Sequence, residues 1–322
     1  MTGNVQRLRP FRVTLALVGL FLLTGCATTA SRGRADSTEA QPPSTEQSLA
    51  AGDEAARRGD FERALAYYLR AVGAEPTVEG WIRIGAVSTR LGNSERALHA
   101  YLQVIALEPN RADALEGAGL EHMALGDAAA AREHLARAVD IDPQRWRSHN
   151  ALGILADQAE DHGSAIAHYE TALDLNPRSP MLLNNLGYSR HLSGDLDQAA
   201  RDFYAATQAD PSYKPAWSNL ALVYAHRGLY SEAVQTLLKI EDKPTAYNDI
   251  GYVAFQRGDL PESEMLLSEA VRLSPVYYET ANKNLESVRA RMRGQTDASP
   301  ALGKPFPDLI SGSLTAAGRD GS

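Results

Sequence analysis

The sequence has a single cysteine, only five lysines among its 32 basic residues, and no uninterrupted apolar run of the roughly 18–20 residues that a membrane-spanning helix needs. Each scarcity excludes something. With Cys26 alone, no disulfide can form within the chain and no second thiol can complete a metal site. A formal charge of −8 removes the electrostatic basis for holding nucleic acid or an anionic lipid surface. There is no GxSxG elbow, no phosphate-binding P-loop, no dinucleotide GxGxxG and no HExxH. The eight histidines, His99, His122, His134, His149, His162, His168, His191 and His226, form no i, i+4 pair with a third ligand in view. We therefore assign no catalytic residue, no metal site and no cofactor. Apolar residues still make up 44% and charged residues 22%, the balance of a folded chain.

What is present begins with a processing signal. Arg7, Arg9 and Arg12 precede an eleven-residue apolar stretch from Val13 to Leu23, the charge-then-apolar order of an export signal. It closes on Leu23-Thr24-Gly25-Cys26, which resembles the lipobox of bacterial lipoproteins. The resemblance implies removal of residues 1–25 and a covalent diacylglycerol and N-acyl chain on Cys26. Several acyl chains give stable anchoring where one does not. Loss of the leader also removes three arginines, leaving 29 basic residues against 40 acidic ones, so the lipid would be the only membrane contact. Ala27, not aspartate, follows the cysteine. In lipoproteins of this kind that implies sorting to the outer membrane of a Gram-negative bacterium, facing the periplasm.

Residues 26–44 are rich in Ser, Thr, Ala and Pro and read as a flexible tether spanning about 25 Å. Residues 294–322 have a similar composition and read as a disordered tail carrying a small apolar cluster, Phe306, Leu309 and Ile310. Between them the chain repeats. Pro76, Pro109, Pro143, Pro177 and Pro211 are spaced 33, 34, 34 and 34 apart, and Gly85, Gly119, Gly153 and Gly187 each lie 24 residues before a proline. Alanine recurs at Ala64, Ala97, Ala131, Ala165, Ala199 and Ala233, and again at Ala71, Ala138, Ala172, Ala206 and Ala270. A large residue falls between the two series, at Tyr68, Tyr101, Leu135, Tyr169, Phe203, Leu237 and Leu267. Gly59, Gly92, Gly126, Gly194, Gly228 and Gly258 sit where a first helix must end in a left-handed residue.

Small residues at close helix crossings, a large one in the groove and a proline closing each unit are the positions of the tetratricopeptide-repeat (TPR) pattern. The resemblance covers residues 45–293. It implies an all-α fold: a superhelical solenoid of about seven helix-turn-helix repeats, beginning near 45, 78, 112, 146, 180, 214 and 244, plus a polar C-terminal capping helix from Tyr277 to Arg293. The unit at 214 is about four residues short, and Leu238 to Pro244 is read as a compressed loop. In a TPR solenoid the first helices line the concave face. The resemblance then implies a partner-binding groove of Asn150, Ile154, Asn184, Tyr188, His191, Leu222, Asn248, Tyr252, Phe255 and Asn282. Two readings of the recurrent asparagine stand. Its amide can bond both the N–H and the C=O of an extended peptide, or it can satisfy a crowded repeat interior while the tyrosines pack between helices. The lysine-rich carboxylate clamp of chaperone-binding TPR proteins is missing, so capture of an acidic C-terminal tail is not expected.

The stretches NNLGYSRHLSGDLDQAARDFYAA and YNDIGYVAFQRGDLPESEMLLSEAVRLSPVYYETANKNLE are similar to those of tight-adherence (Flp-type) pilus assembly TPR lipoproteins. That resemblance implies a protein-binding scaffold, not an enzyme, whose partner is an extended segment of a secretin or pilus component. A second TPR lipoprotein role, docking peptidoglycan hydrolases on the outer membrane, fits the same residues.

Overall fold

A computed structural model describes residues 43–294 of the chain. Cys26 and the Phe306, Leu309 and Ile310 cluster lie outside the described residues. Among the described residues there are fifteen helices and no strand. In order they are α1 (Thr45–Arg57), α2 (Phe61–Ala74), α3 (Val78–Arg90), α4 (Ser94–Leu107), α5 (Ala112–Ala124), α6 (Ala128–Ile141), α7 (Trp146–Gln158), α8 (His162–Leu175), α9 (Pro180–Leu192), α10 (Leu196–Ala209), α11 (Lys214–His226), α12 (Tyr230–Leu237), α13 (Lys243–Arg257), α14 (Leu260–Leu273) and α15 (Glu279–Met292). They pair as seven helical hairpins followed by α15, the all-helical TPR solenoid expected from the repeat. None of the described helices is long and apolar enough to cross a membrane.

The hairpin turn is written in a short stretch of sequence. The first helix ends, one residue adopts positive φ, and an aspartate or asparagine starts the second helix. Asp60, Asn93, Asp127, Asp161 and Asp195 each accept a hydrogen bond from the backbone N–H three residues on, at 3.0–3.1 Å. These caps satisfy N–H groups that have no partner inside the helix. Glycine supplies the positive φ in every unit but the fourth, where Glu160 takes it at 60°.

Packing follows the small–large alternation. All eleven alanines of the two series are fully buried, and so are Tyr169, Phe203, Leu135 and Leu267. A methyl group added to Gly153 would come within 2.6 Å of Tyr169 Cε1, and one on Gly187 within 2.9 Å of Phe203. Glycine inside the first helix thus makes room for the large residue of its own unit. Tyr101 goes further and is wedged between Gly85 of its own unit and Gly117 of the next.

The short unit differs from its reading as a compressed loop. The shortening falls on the second helix: α12 has eight residues where each of the other second helices has fourteen. Leu238 and Ile240, just past its end, pack on the apolar cluster formed with α11 and α13. Asp242 then caps α13, accepting from Thr245 N–H at 2.9 Å, with proline in the first turn.

Candidate protein-binding wall

Each first helix touches the first helix of the next hairpin, from α3 with α5 through to α13 with α15, while second helices make no comparable contact with one another. The first helices therefore form a continuous wall. A side chain pointing along that wall meets the neighbouring helix, and one pointing away from it meets solvent.

This geometry corrects part of the expected groove. Asn150 and Asn184 are fully buried and Asn248 nearly so. Asn185 Nδ2 donates to Asn150 Oδ1 at 2.9 Å, Asn219 Nδ2 to Asn184 Oδ1 at 2.8 Å, and Asn284 Nδ2 to Asn248 Oδ1 at 3.1 Å. The three asparagines are rungs of an amide ladder joining consecutive first helices, not groups presented to a peptide. Burying an amide costs free energy unless its hydrogen bonds are replaced, and an amide on the next first helix replaces one of them, while Asn150 Nδ2 and Asn284 Oδ1 stay buried without a partner. Leu222, Tyr252 and Phe255 are also buried, at 7%, 7% and 3% exposure. Phe255 packs on Leu267, Leu285 and Val288, with the Arg291 guanidinium 5.4 Å from its ring centre. Asn282 is partly exposed but turns its Nδ2 to Tyr278 O at 2.8 Å.

Ile154, Tyr188 and His191 remain partly exposed on α7 and α9. Ile154 and Tyr188 rest on the apolar clusters beneath them. The ladder partners Asn185, Asn219 and Asn284 escaped the sequence reading, although the paired Asn184-Asn185 and the spacings of 35 and 36 residues carry the signal. Elsewhere the wall uses other polar links. Asp53 accepts from Arg83 Nε and Tyr68 O–H, tying α1 to α3 and α2. Glu116 accepts from Ser148 O–H and Arg145 across α5 and α7. Burial and the adjoining carboxylates keep the Tyr68 and Tyr169 phenols protonated.

Asp157 collects His162 Nδ1, Tyr169 O–H and Ser189 O–H at 2.8–3.0 Å. A carboxylate, an imidazole and a hydroxyl in one place invite comparison with a hydrolytic relay. The order is wrong for one: Ser189 is fully buried and bonds the carboxylate, and its other contact is the His162 carbonyl. The group knits α7, α8 and α9 together. Among the described residues no group of three or more His, Cys, Asp or Glu is placed to hold a metal ion. The surface also has an open hollow of about 500 Å³ between α10 and α11, lined by Asp197, Arg201, Tyr204, Tyr224 and Arg227.

Two tetratricopeptide-repeat family models match the chain, one over residues 49–89, 87–145 and 150–215 and the other over 191–250. No curated protein matches. Among solved structures, a tetratricopeptide repeat protein from Parabacteroides merdae is 17% identical, with a TM-score of 0.54 over 76% of this chain and 98% of that one. MamA from Desulfovibrio magneticus RS-1 is 24% identical, with a TM-score of 0.48 over 52% of this chain and 96% of that one. YrrB, described as a TPR protein with an unusual peptide-binding site, is 22% identical, with a TM-score of 0.48 over 60% and 97%. The first of these shares the fold.

Proposed function

The chain belongs to the tetratricopeptide-repeat family, and we propose that it is a lipid-anchored protein-binding scaffold of the outer membrane that assists assembly of a Flp or type IV pilus or its secretin. The TPR fold is typically a non-catalytic interaction scaffold, and a protein or peptide partner follows from it in general. The partly exposed strip of Ile154, Tyr188 and His191 on the first-helix wall carries the reading. Tyrosine there offers a large, rigid contact with a polar tip, the kind of residue that dominates interface energies. Lipid on Cys26 would hold this wall in the periplasm, where secretin and pilus segments are assembled. The likeness of NNLGYSRHLSGDLDQAARDFYAA to the tight-adherence lipoproteins points to that machine.

Affinity purification of the tagged full chain from separated membranes tests both parts. Wild type should fractionate with the outer membrane and bring down secretin or pilus components. Cys26→Ala should move to the soluble periplasmic fraction. A Cys26→Ala protein that stays in the outer membrane would remove the anchor from the proposal. A wild type that captures only peptidoglycan hydrolases would remove the pilus role.

A further inference from the structure

The histidines that look scattered along the chain are paired in space. His122 on α5 stacks on His134 on α6, ring centres 5.2 Å apart. His149 on α7 faces His168 on α8 at 5.8 Å. His191 on α9 faces His226 on α11 at 5.3 Å. Six of the eight histidines are thus in three ring pairs, all in the third to sixth hairpins. Of the other two, His99 lies edge-on to Trp81 and His162 bonds Asp157.

We propose that these three pairs form an acid-sensitive joint, so that the middle of the solenoid, α5 to α11, loosens as the pH falls towards 5 while the ends hold. This does not depend on what the wall binds. Two imidazolium rings at such a separation repel, and charging even one is unfavourable where burial has already taken its hydration away.

The groups facing each pair set the strength. His122 meets the His134 ring and, at 3.7 Å, the Asp127 carboxylate. His149 Nε2 lies 3.1 Å from Pro143 O, which accepts a hydrogen bond from it. The two Nδ1 atoms of His149 and His168 are 3.5 Å apart, leaving room for one proton between them, and Asp161 is the carboxylate acting on His168. His191 meets His226, and its own Nδ1 is buried without a hydrogen-bond partner. His226 has Arg257 beside it, whose guanidinium bonds the His226 carbonyl. Burial and then the facing ring depress His122 and His168, despite the opposing pull of Asp127 and Asp161. Burial and then Arg257 depress His226. Burial and then His226 push His191 down to about 4.

The sign follows from proton uptake. His122, His168, His191 and His226 titrate near 6.5 in the unfolded chain and take protons there before they do in the folded one. Their contribution is complete above that pH and is lost as the pH falls from 6.5 towards the folded values. Asp249 on α13 works in the opposite sense. Burial first, and then Glu241 and Asp242, raise it to about 6 in spite of the hydrogen bond from Asn248. The junction it occupies is therefore strained above that pH and relieved below it.

Hydrogen exchange on the full chain at pH 7.5 and 5.0, read peptide by peptide and corrected for intrinsic rates, tests the joint. Protection in α9 and α11 should fall about tenfold at the lower pH, allowing for the access these rings keep to water. Smaller falls should appear in α5 to α8, with α1 to α4 unchanged and α13 unchanged or better protected. A His122→Gln, His168→Gln, His191→Gln, His226→Gln variant should lose most of the difference. His191→Gln with His226→Gln alone should lose it in α9 and α11, which covers the case in which the fourfold variant does not fold. A loss spread evenly along the chain, no loss at all, or the same loss in the His191→Gln, His226→Gln pair would overturn the proposal.

Discussion

Glu160 stands where the other six hairpins have glycine, with φ at 60°. For an L-residue the left-handed region costs about 1–2 kcal/mol, partly offset because glycine gains more freedom in the unfolded chain. No hydrogen bond or ion pair involves the exposed Glu160 side chain. Glu160→Gly should therefore stabilise the protein by about 0.5–1 kcal/mol in urea unfolding; a loss of similar size would mean the carboxylate does something beyond filling the turn. At this scale much was legible. The glycine series skips from Gly126 to Gly194, so the missing beat falls on Glu160 by count alone. Gly153 was equally readable, because a recurrent glycine inside a helix implies a close neighbour, and Tyr169 is that neighbour.

Single helices and their pairing were legible for the same reason: each start and stop is encoded within a few residues, as in Gly92-Asn93 or Gly194-Asp195. The asparagines show where that reading ran out. Periodicity assigns Asn150 and Asn184 to one face of their helices, but whether that face meets solvent depends on how closely the next first helix approaches. That approach is a property of the stack, so a row read as a peptide groove became an internal ladder. The ladder makes a double-substitution test possible. Asn219→Leu removes the donor to Asn184 Oδ1 and should cost about 1–3 kcal/mol. Adding Asn184→Leu should recover much of that cost, because two apolar groups of similar size replace the pair. Strictly additive losses in the double variant would show that the two amides act separately. The short α12 was foreseen as a missing stretch but placed in the wrong part, since a length deficit does not say which element absorbs it.

For the whole molecule, the first-helix wall around Tyr188 is the proposed seat of a protein partner. Tyr204, exposed on α10 beside the open hollow, serves as the control, because it belongs to a second helix and is not on the wall. The surviving wall residues follow from the stack as well: Ile154 and Tyr188 keep some exposure although their neighbours along the same helices are covered. The most direct measurement is photocrosslinking in cells, with a photoreactive phenylalanine replacing Tyr188 in one strain and Tyr204 in another. A discrete protein adduct from position 188, absent from position 204, is the predicted result. An adduct from position 204 alone, with none from position 188 in a protein that folds and is exported normally, would contradict the assignment of the wall.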